Sequence, residues 1–222
     1  MRILAALLAV ISLDCAATPF VVRLGIERIA IDAPPGFTDT TDLASPRLES
    51  LSSILTSASN RILLFALTDA DVRAFTEGDQ IHAQRYALVV TPKGLEGTRA
   101  TPKQFSELVS DASRNLGAKV DAPDLIKFLQ AQPIGKLNLL ADLRREPEIV
   151  SVLVAVRLPE VPGEKFWNFS TPQYQVSSET LMLVRGKALR LSVYTLYGSP
   201  ADLDWVREIT SRWQEEIRRL NH

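Results

Sequence analysis

Side chains that could perform acid–base or nucleophilic chemistry are scarce in this sequence. Its 222 residues include two histidines, His82 and His222, and one cysteine, Cys15. A Ser–His–Asp triad would have to use His82, and no Gly-x-Ser-x-Gly sequence presents a nucleophilic serine. His82 lies in IHAQRY, where strand side chains alternate between two faces, so a solvent-facing or edge-strand residue is expected there. Histidine catalysis is therefore not predicted.

Metal and phosphate sites are not predicted either. Zinc prefers nitrogen and sulfur ligands, which this chain hardly supplies. The acidic segment TDADVRAFTEGD, residues 68–79, lacks the glycine that a calcium-binding EF-hand loop carries at its sixth position. The stretch VRGK, residues 184–187, has one glycine and not the pattern of a phosphate-binding loop. No metal ion and no cofactor is expected.

Paired carboxylates are the remaining route to catalysis. Asp202 and Asp204 could serve glycosidic chemistry in a suitable cleft. Both follow Ser199 and Pro200, however, and so fall in the first turn of a predicted helix, where the helix dipole favours negative charge. A carboxylate-based hydrolase acting in the periplasm is kept as the alternative function. A pocket lined by two carboxylates with perturbed pKa values would support it.

The segment at 159–174 is the best candidate for a binding site. It carries a lysine and four aromatic side chains, which are Lys165, Phe166, Trp167, Phe169 and Tyr174. Large aromatic side chains on loops often bind a partner. They also fold back and cover the end of a sheet, since a long loop must bury something to stay ordered. Both interpretations stay open at this stage.

The first residues have the composition of a secretory signal. Arg2 precedes an apolar run at 3–13, and the sequence DCAATP follows it. This run is shorter than the roughly 20 residues needed to span a bilayer. Cleavage after Ala17 leaves small residues at the two recognition positions, so residues 1–17 are predicted to be a signal peptide and 18–222 the mature domain. The alternative is a lipoprotein anchored through Cys15.

Charge and hydropathy exclude two further classes of protein. The 25 basic and 26 acidic residues give a formal net charge of −1, without the concentrated basic face that nucleic acid requires. After the leader, no stretch is apolar enough to cross a membrane. A protein partner is the kind of partner that remains.

The elements form one α+β domain in this interpretation. Helix starts are predicted at SPRL, TDAD, TPKQ and SPAD, where Ser or Thr can cap the helix, and a further short helix is predicted near Pro123. Predicted strands include RIAIDAP, RILLFAL and IVSVLVAV, together with HAQRYALVV and KLNLLADL. The segments SSETLMLV and KALRLSVYTL flank Arg185 and Gly186 as a hairpin. Consecutive strands near the end predict a mostly antiparallel sheet with helices packed on its faces.

Two parts of this pattern resemble a known protein family. A strand leading into APPGF, then a GKALRLSVY hairpin and a closing helix that contains tryptophan, resembles the PsbP/Mog1-like α/β/α sandwich proteins. The resemblance implies that fold, and it implies an exported bacterial protein, because many members of the family are exported. Known members are accessory subunits of photosystem II or bind a small GTPase. No functional residue is carried over, because no site motif is shared.

These observations together predict a binding protein. We expect an exported accessory or binding protein of the bacterial envelope, periplasmic or secreted, that has no catalytic residues of its own.

Overall fold

The computed structural model describes residues 19–79, 81, 83–114, 116–159 and 173–222. The strands within these ranges are β1 (Phe20–Leu24), β2 (Glu27–Ile31), β3 (Phe37–Asp39), β4 (Asn60–Thr68), β5 (Arg85–Pro92), β6 (Asn138–Glu146), β7 (Ile149–Arg157), β8 (Tyr174–Val184) and β9 (Lys187–Leu196). The helices are α1 (Pro46–Ile54), α2 (Asp69–Glu77), α3 (Pro102–Arg114), α4 (Leu125–Gln130) and α5 (Pro200–Asn221). Two short 3-10 helices lie at Thr41–Leu43 and Lys93–Leu95.

Seven of these strands form one sheet. Its order is β3-β4-β5-β9-β8-β7-β6, and every described pair in it is antiparallel. Strands β1 and β2 form a separate antiparallel hairpin. The predicted fold class, a single α+β domain with a mostly antiparallel sheet and helices on its faces, is confirmed.

The first face of the sheet is covered by α5, α4 and the β1–β2 hairpin. The α5 helix buries Val206, Ile209, Trp213 and Ile217 against the apolar sheet positions and against β2. Polar side chains join the same interface: Thr210 donates to Ser178 at 2.6 Å, and Gln214 donates to Thr180 at 2.9 Å. The apolar side of α5 is therefore part of the core.

The second face is covered less evenly. The α1 and α2 helices lie over β4 and β5, where Leu48 and Leu51 pack against Phe65, Leu67 and Leu88. The α3 helix lies over the other half of this face, and Phe105 is its one buried residue. This uneven cover leaves a cavity between α3 and the sheet.

The predicted helix starts are found where the sequence places them. Thr68 caps α2 by accepting from the Asp71 N–H at 3.1 Å. Thr101 accepts from the Gln104 N–H at 3.3 Å, while the Gln104 side chain accepts from the Thr101 N–H at 2.9 Å. The short α4 helix is capped by Asp124, one residue beyond the predicted Pro123.

The amino-terminal region of the fold differs from the prediction. The stretch 28–34 was expected to form the first strand, but β2 is the second arm of a hairpin that begins at Phe20. Gly25 allows the tight turn, because its φ of +59° suits glycine. A β carbon there would also lie 3.0 Å from the carbonyl oxygen of Glu96.

The β8–β9 hairpin forms as predicted. Arg185 and Gly186 make its two-residue turn with φ of +49° and +76°, the positive values that a type I′ turn requires. This turn fixes the register of both strands and, through it, the positions of the side chains in the cavity.

Candidate functional site

The cavity lies between the second face of β7, β8 and β9 and the helices α1 and α3. Its volume is about 560 Å³, within the range of about 300–1,000 Å³ that small-molecule sites occupy. Its apolar walls are formed by Ile54, Leu55, Val109, Ala112, Leu116, Leu137, Val150, Val152 and Leu181. The cavity opens to solvent beside Ile54, which is 69% exposed, and Leu137, which is 39% exposed.

Alternation along β8 sends polar side chains to both faces of the sheet. Ser178 and Thr180 point to α5 and hydrogen-bond with it. Ser177 and Glu179, one position earlier in each case, line the cavity. The period of two in a strand therefore separates a structural polar pair from a cavity-facing one.

Glu179 is the acid at the floor of the cavity. Its carboxylate accepts from Ser192 Oγ at 2.7 Å and from Ser177 Oγ at 3.4 Å. Burial among the sheet side chains raises the pKa of Glu179, and the positive charge of Arg190 together with hydroxyl hydrogen bonds opposes that rise. The 22% of its side chain that remains exposed faces the cavity it lines.

Arg190 is the positively charged residue beside Glu179. Its Nε lies 4.0 Å from Glu179 Oε2, which is an ion-pair distance without a hydrogen bond. One Nη2–H is donated to Thr56 Oγ1 at 3.3 Å. Buried Arg190 Nε has no hydrogen-bond acceptor among the residues that the structure describes.

Two stacked tyrosines lie beside this pair. The rings of Tyr86 and Tyr194 are 4.5 Å apart between centroids and tilted by 17°, and Gln175 donates to the Tyr86 hydroxyl at 3.0 Å. Burial raises the pKa of both tyrosines well above the ordinary value. Both phenols are therefore neutral hydrogen-bonding groups near pH 7.

The α3 helix forms the outer wall of the cavity. Phe105 is buried near the start of the helix, whereas Val109 and Ser113 are half-buried and Ala112 is exposed. The cavity is lined by Val109, Ala112 and Ser113. Ser113 Oγ donates to the backbone carbonyl of Val109. The α3 helix thus presents an amphipathic side to the cavity that is not packed tightly against the sheet.

The arrangement is suited to binding more than to catalysis. Among the described lining residues Glu179 is the one carboxylate, whereas glycosidic hydrolysis needs two. Ser177 and Ser192 both donate to Glu179, and the described lining residues include no histidine to activate them. What the cavity offers is an apolar enclosure with one charged, hydrogen-bonding end.

Of the five residues predicted as a binding site, Tyr174 lies within the described part of the chain. Tyr174 is buried at 7% exposure at the start of β8, on the face covered by α4 and α5. Lys165, Phe166, Trp167 and Phe169 lie outside the described residues, as does His82. The aromatic loop therefore stays a prediction.

The acids at the start of α5 have structural partners. Asp202 accepts from the N–H groups of Gly198 and Ser199 at 3.0 Å each, and from Arg85 at 3.2 Å. These donors lower the pKa of Asp202 in spite of partial burial. Asp204 is exposed and pairs with Arg207 at 2.7 Å. Both carboxylates stabilise the helix start.

Two further observations concern the described part of the chain. No group of three or more His, Cys, Asp or Glu side chains in it is placed to hold a metal ion. None of its helices combines the length and the apolar composition needed to cross a bilayer.

Sequence reasoning missed Glu179 and Arg190, although the sequence carries a signal for them. Each is a charged residue inside a strand whose neighbours are apolar or small, SSETLMLV and KALRLSVYTL. The hairpin register pairs Glu179 with Ser192 and Leu181 with Arg190, so the two charges are diagonal neighbours on one face.

Comparison with known proteins gives a likeness at the level of overall shape. One solved structure similar to this chain is the Ran-binding protein Mog1p of Saccharomyces cerevisiae, with 13% identity, 93% of each chain covered and a TM-score of 0.36. Another is a mutant of protein Mog1, with 13% identity, 92% of this chain and 93% of that chain covered, and a TM-score of 0.37. No protein-family model matches, and no curated protein matches. Because identity and TM-scores are low, the fold assignment rests on the strand order and helix layers described above.

Proposed function

We propose that the protein is a non-enzymatic binding protein that holds a small, largely apolar molecule in the cavity between α3 and the sheet. The observation that carries this proposal is the cavity itself, about 560 Å³ in volume, with apolar walls and a charged pair at its floor. Convergent polar groups inside an apolar cavity are the usual form of a ligand site.

The hydrolase alternative has less support. It requires two carboxylates in one cleft, and Asp202 and Asp204 are occupied at the start of α5. The raised pKa of Glu179 has a sufficient cause in burial and does not require a catalytic role.

We also propose that this binding takes place outside the cytoplasm. The support is the sequence pattern of Arg2, the apolar run at 3–13 and the small residues before Thr18. An accessory protein of the envelope that carries or senses a small molecule combines both parts of the proposal.

The experiment uses N-phenylnaphthylamine, a neutral probe whose fluorescence rises in apolar surroundings. We expect saturable binding of one probe molecule per chain. Ala112→Trp should remove it, because Ala112 is exposed on α3 at the cavity wall, and a large ring there fills the cavity without disturbing the core.

Ser110→Trp is the matched control. Ser110 is exposed on the same helix and does not line the cavity. It should bind the probe as the wild type does, and all three proteins should melt at similar temperatures. Probe fluorescence that fails to saturate, or that Ala112→Trp leaves unchanged, would overturn the proposal.

A further inference from the structure

Resting on this proposed function, we propose that the ligand is an organic carboxylate, whose apolar body contacts the walls of the cavity and whose carboxylate accepts hydrogen bonds from Arg190. The inference concerns the chemical class of the ligand. It follows from an inventory of donors and acceptors at the cavity floor.

Arg190 brings donors to the floor that the described residues do not use. It carries five N–H groups in a planar fork, and the hydrogen bond it makes among the described residues goes to Thr56 Oγ1. Its Nε is buried and out of reach of a ligand. The side chain as a whole is 37% exposed and lines the cavity, so a ligand oxygen there can accept from the remaining N–H groups at the end of the guanidinium.

The oxygens nearest to Arg190 already have protein donors. Glu179 accepts from Ser177 and Ser192. Thr56 Oγ1 accepts from Asn60 Nδ2 at 2.9 Å in addition to Arg190. A ligand ammonium group would compete with these donors and with Arg190 for the oxygens of Glu179, whereas a ligand oxygen meets guanidinium N–H groups that no described residue accepts from.

The geometry of the charged pair favours a ligand that accepts hydrogen bonds from Arg190. Glu179 and Arg190 are the two charged residues among the described lining. Arg190 Nε lies 4.0 Å from Glu179 Oε2, beyond hydrogen-bond distance, so the guanidinium group is not held by that carboxylate. A guanidinium group matches a ligand carboxylate with two parallel donors.

The apolar walls of the cavity determine the chemistry of the part of the ligand that extends from its carboxylate. Val109, Val150, Val152 and Leu181 present carbon surface on both sides of the floor. A polar body such as a sugar would leave its hydroxyls unpaired against these side chains, which costs binding energy. An acyl chain or ring system attached to a carboxylate fits both the walls and the floor.

The test compares three probes with one apolar chain and different ends, namely decanoate, decanol and decyltrimethylammonium, by calorimetric titration at pH 7. We expect decanoate to bind about ten- to hundredfold more tightly than the other two, the range that a charge-assisted hydrogen bond gives. In Arg190→Gln, decanoate should bind no more tightly than decanol does in the same variant. Arg145→Gln, an exposed arginine on β6 that pairs with Asp142, is the matched control for lost charge.

Glu179→Gln separates the two charges at the floor. It keeps Arg190 and should bind decanoate at least as tightly as the wild type, which a merely structural role for the pair does not predict. Decanol binding as tight as decanoate, with N-phenylnaphthylamine still excluded by Ala112→Trp, would overturn the carboxylate inference and leave the proposed function standing. Failure of N-phenylnaphthylamine itself to bind would overturn both.

Discussion

The indole Nε1 of Trp213 donates a 2.7 Å hydrogen bond to the backbone carbonyl of Asp32, 181 positions earlier in the chain. Trp213 is 1% exposed, and Asp32 directly follows β2. Asn221 adds two bonds between the same elements, accepting from the Ala30 N–H at 2.9 Å and donating to its carbonyl at 2.8 Å. The α5 helix therefore joins the amino-terminal hairpin to the sheet, and its apolar side is scaffold.

Replacing Trp213 by alanine is expected to reduce the free energy of unfolding by about 3–5 kcal/mol. The change leaves a void between α5 and β2 and leaves the Asp32 carbonyl without its buried partner. This is a large share of the roughly 5–15 kcal/mol that holds a typical domain folded. Urea unfolding followed by circular dichroism measures it.

Two further variants check the cause of that loss. Trp213→Phe keeps most of the ring volume and removes the donor, so a cost of about 1–3 kcal/mol is expected. Arg212→Ala, next to it but exposed, should change stability by at most about 1 kcal/mol. If Trp213→Ala costs no more than Arg212→Ala, the assignment of α5 to the scaffold is wrong.

Local sequence signals predicted the helices well because their causes are local. Thr68, Thr101 and Asp202 satisfy N–H groups within three or four residues of themselves, so a capping sequence contains its own partner. Strand β2 was predicted within RIAIDAP, but β1 and its pairing with β2 were missed for the opposite reason. The apolar positions of this hairpin, such as Leu24 and Ile29, are buried by α5, almost two hundred residues away in sequence.

The cavity could be predicted only in part. The Arg185–Gly186 turn fixes the β8–β9 register, so the diagonal contact of Glu179 with Arg190 follows from counting back along the hairpin. The empty space above them depends on how α3 packs, and the pattern of Val109, Ala112 and Leu116 is the same for a helix that packs tightly and for one that does not. Periodicity indicates which side of a helix is apolar, but not the distance to its neighbour.

The amino terminus gives a prediction that mass spectrometry can check. If residues 1–17 are a signal peptide, the full chain expressed in a bacterial host should give a protein that begins at Thr18, because cleavage after Ala17 satisfies the small-residue preference of the processing site. Intact mass of the periplasmic fraction measures the start within one residue. A chain that begins at a diacylated Cys15 would establish the lipid-anchored alternative.

The aromatic loop gives a second prediction that does not depend on the cavity. If Trp167 covers the end of the sheet, Trp167→Ala should lower the free energy of unfolding by about 2–5 kcal/mol. If the loop binds a protein partner, the same change should weaken capture of that partner while stability stays close to wild type. We expect the first outcome, and urea unfolding with affinity capture from the envelope fraction distinguishes the two. Lys119→Ala is the control, since Lys119 is an exposed lysine outside this loop and such a substitution changes stability little.

Glu179 gives a prediction about pH. Its pKa is raised in the folded protein above the ordinary value of 4.5, so between those two values the folded state binds more protons than the unfolded chain. The free energy of unfolding that Glu179 contributes is therefore present below pH 4.5 and is lost as pH rises through the folded pKa. Each unit of difference between the two pKa values corresponds to about 1.4 kcal/mol.

Glu179→Gln isolates this effect, because a glutamine keeps the shape and does not titrate. The groups that face Glu179 are Arg190, which stays charged, and the phenols of Tyr86 and Tyr194, which stay neutral near pH 7 because burial raises their pKa. Between pH 4 and pH 8 the wild type should lose stability relative to the glutamine variant in urea unfolding. Glu49→Gln, an exposed acid on α1, should follow the wild type throughout. Parallel curves for the wild type and Glu179→Gln would mean that Arg190 and the two serines offset the burial of the carboxylate. Glu179 would then be ionised at pH 7, and the floor of the cavity would carry no net charge.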